Sequence, residues 1–350
     1  MYKTVKIFCI SVALMLQVQM VFAQNNVFTV GSSAKAVFKT IQEAINQIPE
    51  NNSNFITILI EPGIFKEKIF IKNKHHFQLI GSGMDKTIIS QSIARDAWRC
   101  EHNDDWGVAT INVDSSTAIN FKDLTIENRY GFDNKSDILI PCALDSTLQK
   151  LVKSNGHQMA FRSFYATKLA FSNCHFKAFG GDTMSPWNTI DGMFYFKDCV
   201  LEGGVDFYCP RGWAYAEDCS FYSHNGPAAI WHDGSLHEDA KSVLVKCTFN
   251  GFEGFKLGRY HRDAQIYLID CAFAKNMSDQ PIYQVKTNNK LDWPGRVYYQ
   301  DCFTIGTKNQ IFKNNLFEAK GSPKRSAINA EWVFGIRWSP LEQLNVRKKV

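Results

Sequence analysis

Seven times between residues 121 and 304 the chain repeats one short phrase. An apolar residue is followed by two mostly polar ones, a compact apolar residue, a variable position and a last, mostly apolar residue. The phrases are FKDLTI at 121–126, FSNCHF at 171–176, FKDCVL at 196–201, AEDCSF at 216–221, LVKCTF at 244–249, LIDCAF at 268–273 and YQDCFT at 299–304. Six of them centre on cysteine, at Cys174, Cys199, Cys219, Cys247, Cys271 and Cys302, with gaps of 25, 20, 28, 24 and 31 residues. Phe, Val, Tyr and Ile in short alternating runs, with turn formers between them, predict strands rather than helices. A variable repeat of that length predicts a solenoid in which every coil adds one strand to parallel sheets. The predicted fold is all-β, a right-handed parallel β-helix.

Two stretches break the pattern. TIQEAINQI at 40–48 pairs Thr40 with Glu43 as a capping box and puts Ile41, Ala44, Ile45 and Ile48 on one face, which predicts a helix capping the N-terminal end of the solenoid. The tail after Lys320, with Trp332, Phe334 and Trp338, is non-repetitive and is expected to cover other surface. Between Leu124 and Cys174 lie 50 residues, room for two coils or for one coil with a long loop, and NRYGFDNKSD within them reads as loop.

The N-terminus reads as a secretory signal peptide, with Lys3 and Lys6 before an apolar run from Ile7 to Phe22 and a boundary at Ala23. Residues 24–350 are then a single secreted domain, extracellular or periplasmic, with no later stretch long and apolar enough to cross a bilayer. The formal charge of +5 falls to +3 without Lys3 and Lys6, too mild and dispersed for a nucleic-acid partner. Of ten cysteines, nine remain after Cys9. Six at one repeat position would stack as a ladder, and an odd number cannot all pair, so those six are expected to be reduced and packed inside. Leu124 in the same slot points the same way. Cys100 and Cys142, outside the repeat, are available to pair.

Within VLEGGVDFYCP (200–210), Asp206 stands bare between Val205 and Phe207. A carboxylate in an apolar strand is costly unless paired. With the repeat as a ruler, Asp182 lies eight residues after Cys174 and Asp206 seven after Cys199, so the two acids fall at nearly the same place on successive coils, about 4.8 Å apart. EHNDDW (101–106) and WHDGSLHED (231–239) carry His and acids but no recognised metal-ligand spacing, and read as solvated loops. No metal or cofactor is expected.

These residues resemble the pectin methylesterase family of carbohydrate esterases. EPGIFKEKI, LIGSGMDKTII, GHQMAFR, GGDTM, EGGVDFYCP and LGRYH are similar, in order and spacing, to its conserved segments. The resemblance implies a parallel β-helix that removes methyl groups from galacturonan without a metal. It implies Asp206 as nucleophile, Asp182 as general acid and base, Arg259 as the cation orienting Asp206, and Gln158 as an amide donor to the developing oxyanion. With Arg259 favouring charge on Asp206, Asp182 should hold the raised pKa of the pair. Tyr208, Trp213, Trp231, Tyr260 and His261 are second-rank candidates for contact with sugar rings. The implied partner is pectin or a related acidic polysaccharide, acted on by a monomer.

Departures from the family pattern bear on the same site. Gly181 stands where the acid motif supplies a second glutamine, Tyr208, Cys209 and Pro210 replace Ile-Phe-Gly, and Tyr260 and His261 replace Pro-Trp. The alternatives are a non-catalytic glycan-binding β-helix, or an esterase or lyase acting on another pectic polymer.

Overall fold

The structure, a computed structural model, describes residues 26–234, 236–307 and 309–345; the predicted signal peptide lies outside them. The architecture is the expected parallel β-helix. In one stack, Ile69–Lys72, Ile111–Asp114, Phe161–Phe164 and Met184–Trp187 pair in parallel. Bridges through Tyr208 carry this face on to Ala228–Trp231 and Lys256–Tyr260. The remaining coil segments form long parallel ladders, as in Phe194↔Ala214↔Ser242↔Ile266 and Leu201↔Phe221↔Phe249↔Phe273.

The repeated phrase is the corner between two of these ladders. Asp123, Asn173, Asp198, Asp218, Lys246, Asp270 and Asp301 each precede the central residue of a phrase, and every one has a φ between 51° and 56°. Asp and Asn tolerate this left-handed conformation better than other side chains, which is why five of the seven corners are Asp and one is Asn. Turning there drives the next side chain inward. All six cysteines of the phrase are free and buried, and several thiols lie against carbonyls of the preceding coil, such as Cys174 Sγ to Phe121 O at 3.3 Å and Cys302 Sγ to Leu268 O at 3.3 Å. Beside them Phe121, Phe171 and Phe196 stack at 5.1 and 4.9 Å. The six thiols are therefore expected to react with a maleimide only after denaturation, and rapid labelling of the folded protein would contradict this packing.

The helix Ile41–Asn46 has the expected capping box at Thr40 and Glu43 and buries Ile41, Ala44 and Ile45. The gap from Leu124 to Cys174 is one coil with a long insertion, because Phe121 pairs directly with Phe171 and Leu124 with Cys174. The insertion contains the helix Tyr130–Asp133 and a hairpin of Ile138–Pro141 with Gln149–Val152. A disulfide joins Cys100 to Cys142 and ties that hairpin to the residues after the helix Arg95–Trp98. The tail lays Leu316, Val333, Phe334, Trp338 and Leu344 over the outer face of a ladder, against Tyr195, Trp213 and Tyr267.

Candidate active site

Asp182 and Asp206 sit at equivalent corners of successive coils, with φ of 57° and 52°. The coils are locked in that register by Gly204 N–H to Gly180 O at 2.6 Å, Asp182 N–H to Val205 O at 3.1 Å and Met184 N–H to Phe207 O at 2.9 Å. The spacing read from the sequence thus brings the two acids onto neighbouring coils.

Arg259, in the strand Lys256–Tyr260 two coils beyond Asp206, closes on it as a fork. Its Nε donates to Oδ1 at 3.0 Å and its Nη2 to Oδ2 at 2.7 Å. A bidentate guanidinium fixes carboxylate orientation as well as charge. Even so, burial pushes the Asp206 carboxyl up to about 6; Arg259 opposes the rise, Asp182 adds to it, and His157 opposes it. Asp182 is the member of the pair expected to hold the raised pKa; the rise seen is on Asp206, where desolvation outweighs the arginine. Cys209, buried behind Asp182 with Sγ 3.8 Å from Oδ1, is pushed up to about 12 by burial and by Asp182. It is a neutral thiol, not a rival nucleophile.

Four expected site residues lie elsewhere. Gln158 is fully buried, donating through Nε2 to Ser154 O at 2.6 Å and accepting through Oε1 from Gly131 N–H at 2.9 Å. Its amide fastens the insertion to the coil and is not presented to the open face. Tyr208 is 0% exposed and points into the coil, against Phe196 and Phe221, each at 5.3 Å. Tyr260 is 5% exposed and belongs to the same core. Trp213 is 2% exposed, beneath the tail, with the Arg337 guanidinium 4.2 Å from its ring centre. Strand alternation sends these side chains inward or to the tail-covered face, so none can meet a sugar.

Trp231 and His261 do lie together near Arg259, with ring centres 4.5 Å apart and the guanidinium 5.2 Å from the indole. His261 Nδ1 is 2.7 Å from Asp233 Oδ1. His232 is buried and the Asp233 side chain is only 7% exposed, so neither is solvated, and burial pushes His232 down to about 4, so it is neutral at physiological pH. The other acidic stretch serves arginines: Asp105 accepts from Arg95 and Arg99, which overcome its burial and hold it at about 2.

Three residues on this side of the helix carried no sequence signal. Trp187, five positions after Asp182, is 42% exposed; its indole lies 4.4 Å from the Arg211 guanidinium and 5.0 Å from that of Arg162. With Tyr165, 70% exposed, it lines a cleft of about 340 Å³ together with Phe164, Asn188, Thr189 and Ile190. The third, His157, is half-exposed, with Nε2 3.9 Å from Asp182 Oδ2.

The parallel β-helix thus holds an arginine-clamped acid pair in register on successive coils. The chain matches the family model Pectinesterase over residues 27–177. It is 25% identical over 248 residues to probable pectinesterase 67 of Arabidopsis thaliana, covering 68% of this chain and 63% of that one. The chain thus spans less than two thirds of the length of such relatives. Among solved structures it superposes on a pectin methylesterase in complex with a hexasaccharide, with a TM-score of 0.70 at 18% identity over 89% of this chain and 98% of that one. The match to the pectin methylesterase PemA of Erwinia chrysanthemi has a TM-score of 0.69 at 18% identity over 91% and 98%. At that identity the likeness to the solved structures is one of fold.

Proposed function

We propose that the protein is a secreted pectin methylesterase, hydrolysing methyl esters of galacturonan to methanol and free carboxylate. The observation that carries this reading is the Asp206 carboxylate held by the Arg259 fork one coil from Asp182. In the proposed reaction an Asp206 oxygen attacks the ester carbonyl carbon and the carbonyl electron pair moves to oxygen. Collapse expels the methoxy group, which takes a proton from Asp182 and leaves as methanol, giving a mixed anhydride between Asp206 and the sugar acid. Asp182 then takes a proton from water, hydroxide attacks the sugar carbonyl, and Asp206 departs as carboxylate. Trp187, Tyr165, Trp231 and His261 are the side chains best placed to pack on sugar rings. A family neighbour whose structure holds a hexasaccharide supports an oligosaccharide substrate. The buried disulfide of Cys100 and Cys142 fits an oxidising compartment.

Methanol, acetate and new chain ends measured side by side on highly methylated pectin test the reading. Methanol alone is the expected product; chain ends without methanol would indicate a backbone-cleaving enzyme, and no product with retained binding a glycan-binding protein.

A further inference from the structure

An ester hydrolase of this kind must stabilise the oxyanion that forms when Asp206 attacks, and neither glutamine implied by the resemblance does so here. Gln158 is buried with its amide oxygen and nitrogen held by Gly131 and Ser154, and the other position is Gly181. Resting on the esterase reading, we propose that His157 is a catalytic residue of this chain, its Nε2–H donating to the oxyanion in the space that Gly181 leaves open.

Three observations place it there. The His157 ring lies directly over Gly181: a Cβ built on that glycine would stand 3.2 Å from His157 Cδ2 and 2.8 Å from the Val205 carbonyl oxygen. A side chain at 181 would therefore press on the histidine and on the backbone leading to Asp206. The backbone of His157 is fixed, with its carbonyl accepting from Arg95 N–H at 2.9 Å and with Gly181 N–H to Gly156 O at 3.0 Å and Gln158 N–H to Gly181 O at 2.9 Å on either side. Its ring makes no hydrogen bond to a described residue, and Nε2 faces Asp182 Oδ2 across 3.9 Å. That gap is too long for a hydrogen bond, leaving the N–H to a third atom. With a proton on Nε2 the ring has an N–H to donate. Asp206 also feels this ring, which acts with Arg259 against the protonating effect of burial. His157 thus stands beside Asp182 from the coil before it, while the Arg259 fork reaches Asp206 from two coils beyond, with the acid pair between them in coil order.

The test compares His157→Ala and His157→Gln with wild type by methanol release and by NMR titration of the 13C-labelled Asp206 carboxyl. The alanine variant should lose roughly 100-fold in kcat with KM within about twofold, as expected for one oxyanion donor, while glutamine, which restores an N–H, should recover at least about tenfold of that loss. The Asp206 midpoint should move upward in the alanine variant, a shift that a merely packing role would not produce. A kcat within about threefold of wild type, a loss confined to KM, or an unmoved Asp206 midpoint each overturns the assignment. If the wild type releases no methanol, the esterase reading itself fails, and the Asp206 midpoint still decides whether His157 faces the acid pair.

Discussion

Asp206→Asn should abolish methanol release, by at least about 1,000-fold in kcat, while leaving the β-helix folded. The amide is nearly isosteric and Asn tolerates the left-handed corner that residue 206 occupies at a φ of 52°, so the loss would report chemistry rather than collapse. The same substitution should raise stability. Burial lifts the folded-state pKa of Asp206 from 3.8 to about 6, so between those values the native state holds a proton that the unfolded chain has lost. Stability therefore falls as pH rises through that window, and the cost persists above it. Asn does not ionise, and at pH 7.5 the variant should be about 1–3 kcal/mol more stable than wild type, a gain that vanishes near pH 4. Circular dichroism melts at the two pH values, alongside the methanol assay, check both halves. Substantial residual esterase activity would remove Asp206 from the nucleophile's role.

Arg259→Leu should move the acid limb of kcat/KM toward higher pH. In the wild type Asp206 attacks only as carboxylate, so activity should rise through about pH 6. Removing the fork leaves burial and the Asp182 charge unopposed from that side. The Asp206 carboxyl must then titrate higher, and each unit of further rise costs about tenfold in the ionised fraction at a fixed pH below it. The expected result is a loss of roughly 100-fold at pH 6, shrinking as pH increases. Arg259→Lys should restore much of the limb's position but not the full rate, because an ammonium supplies charge without the two parallel bonds now made at 3.0 and 2.7 Å. An acid limb unchanged in Arg259→Leu would show that the arginine does not set the ionisation of Asp206.

The coils were legible because one phrase recurs at a position of severe backbone constraint. The residue before each cysteine, Asp or Asn at every corner but Lys246, turns the corner with φ near 53°, and the compact residue after it must fit inside. The same constraint made Asp182 and Asp206 readable as a pair, since both occupy corners of their own. What the sequence left dark was the direction of individual side chains. Tyr208 and Tyr260 look like sugar-facing aromatics beside catalytic motifs, yet alternation along the strand turns them into the core. Trp213 faces outward but lies under a tail more than 100 residues away in sequence, against Phe334 and Trp338. Gln158 matches a motif while its amide answers to Gly131 and Ser154 of the insertion, a long-range demand that no local pattern records. Trp187 and His157 gain their places only from neighbouring coils. The pairing of Cys100 with Cys142 likewise needed the fold of the insertion between them.

The central claim is that Asp206 itself bonds to the sugar acid rather than merely activating water. Hydroxylamine added during turnover on methylated oligogalacturonides tests this directly, because it competes with water for the mixed anhydride. The account predicts galacturonohydroxamate formed together with methanol, and a fraction of enzyme in which peptide mapping finds the Asp206 carboxyl converted to its hydroxamate. Methanol release with only free galacturonate formed at every hydroxylamine concentration, and an unmodified Asp206 peptide, would contradict it.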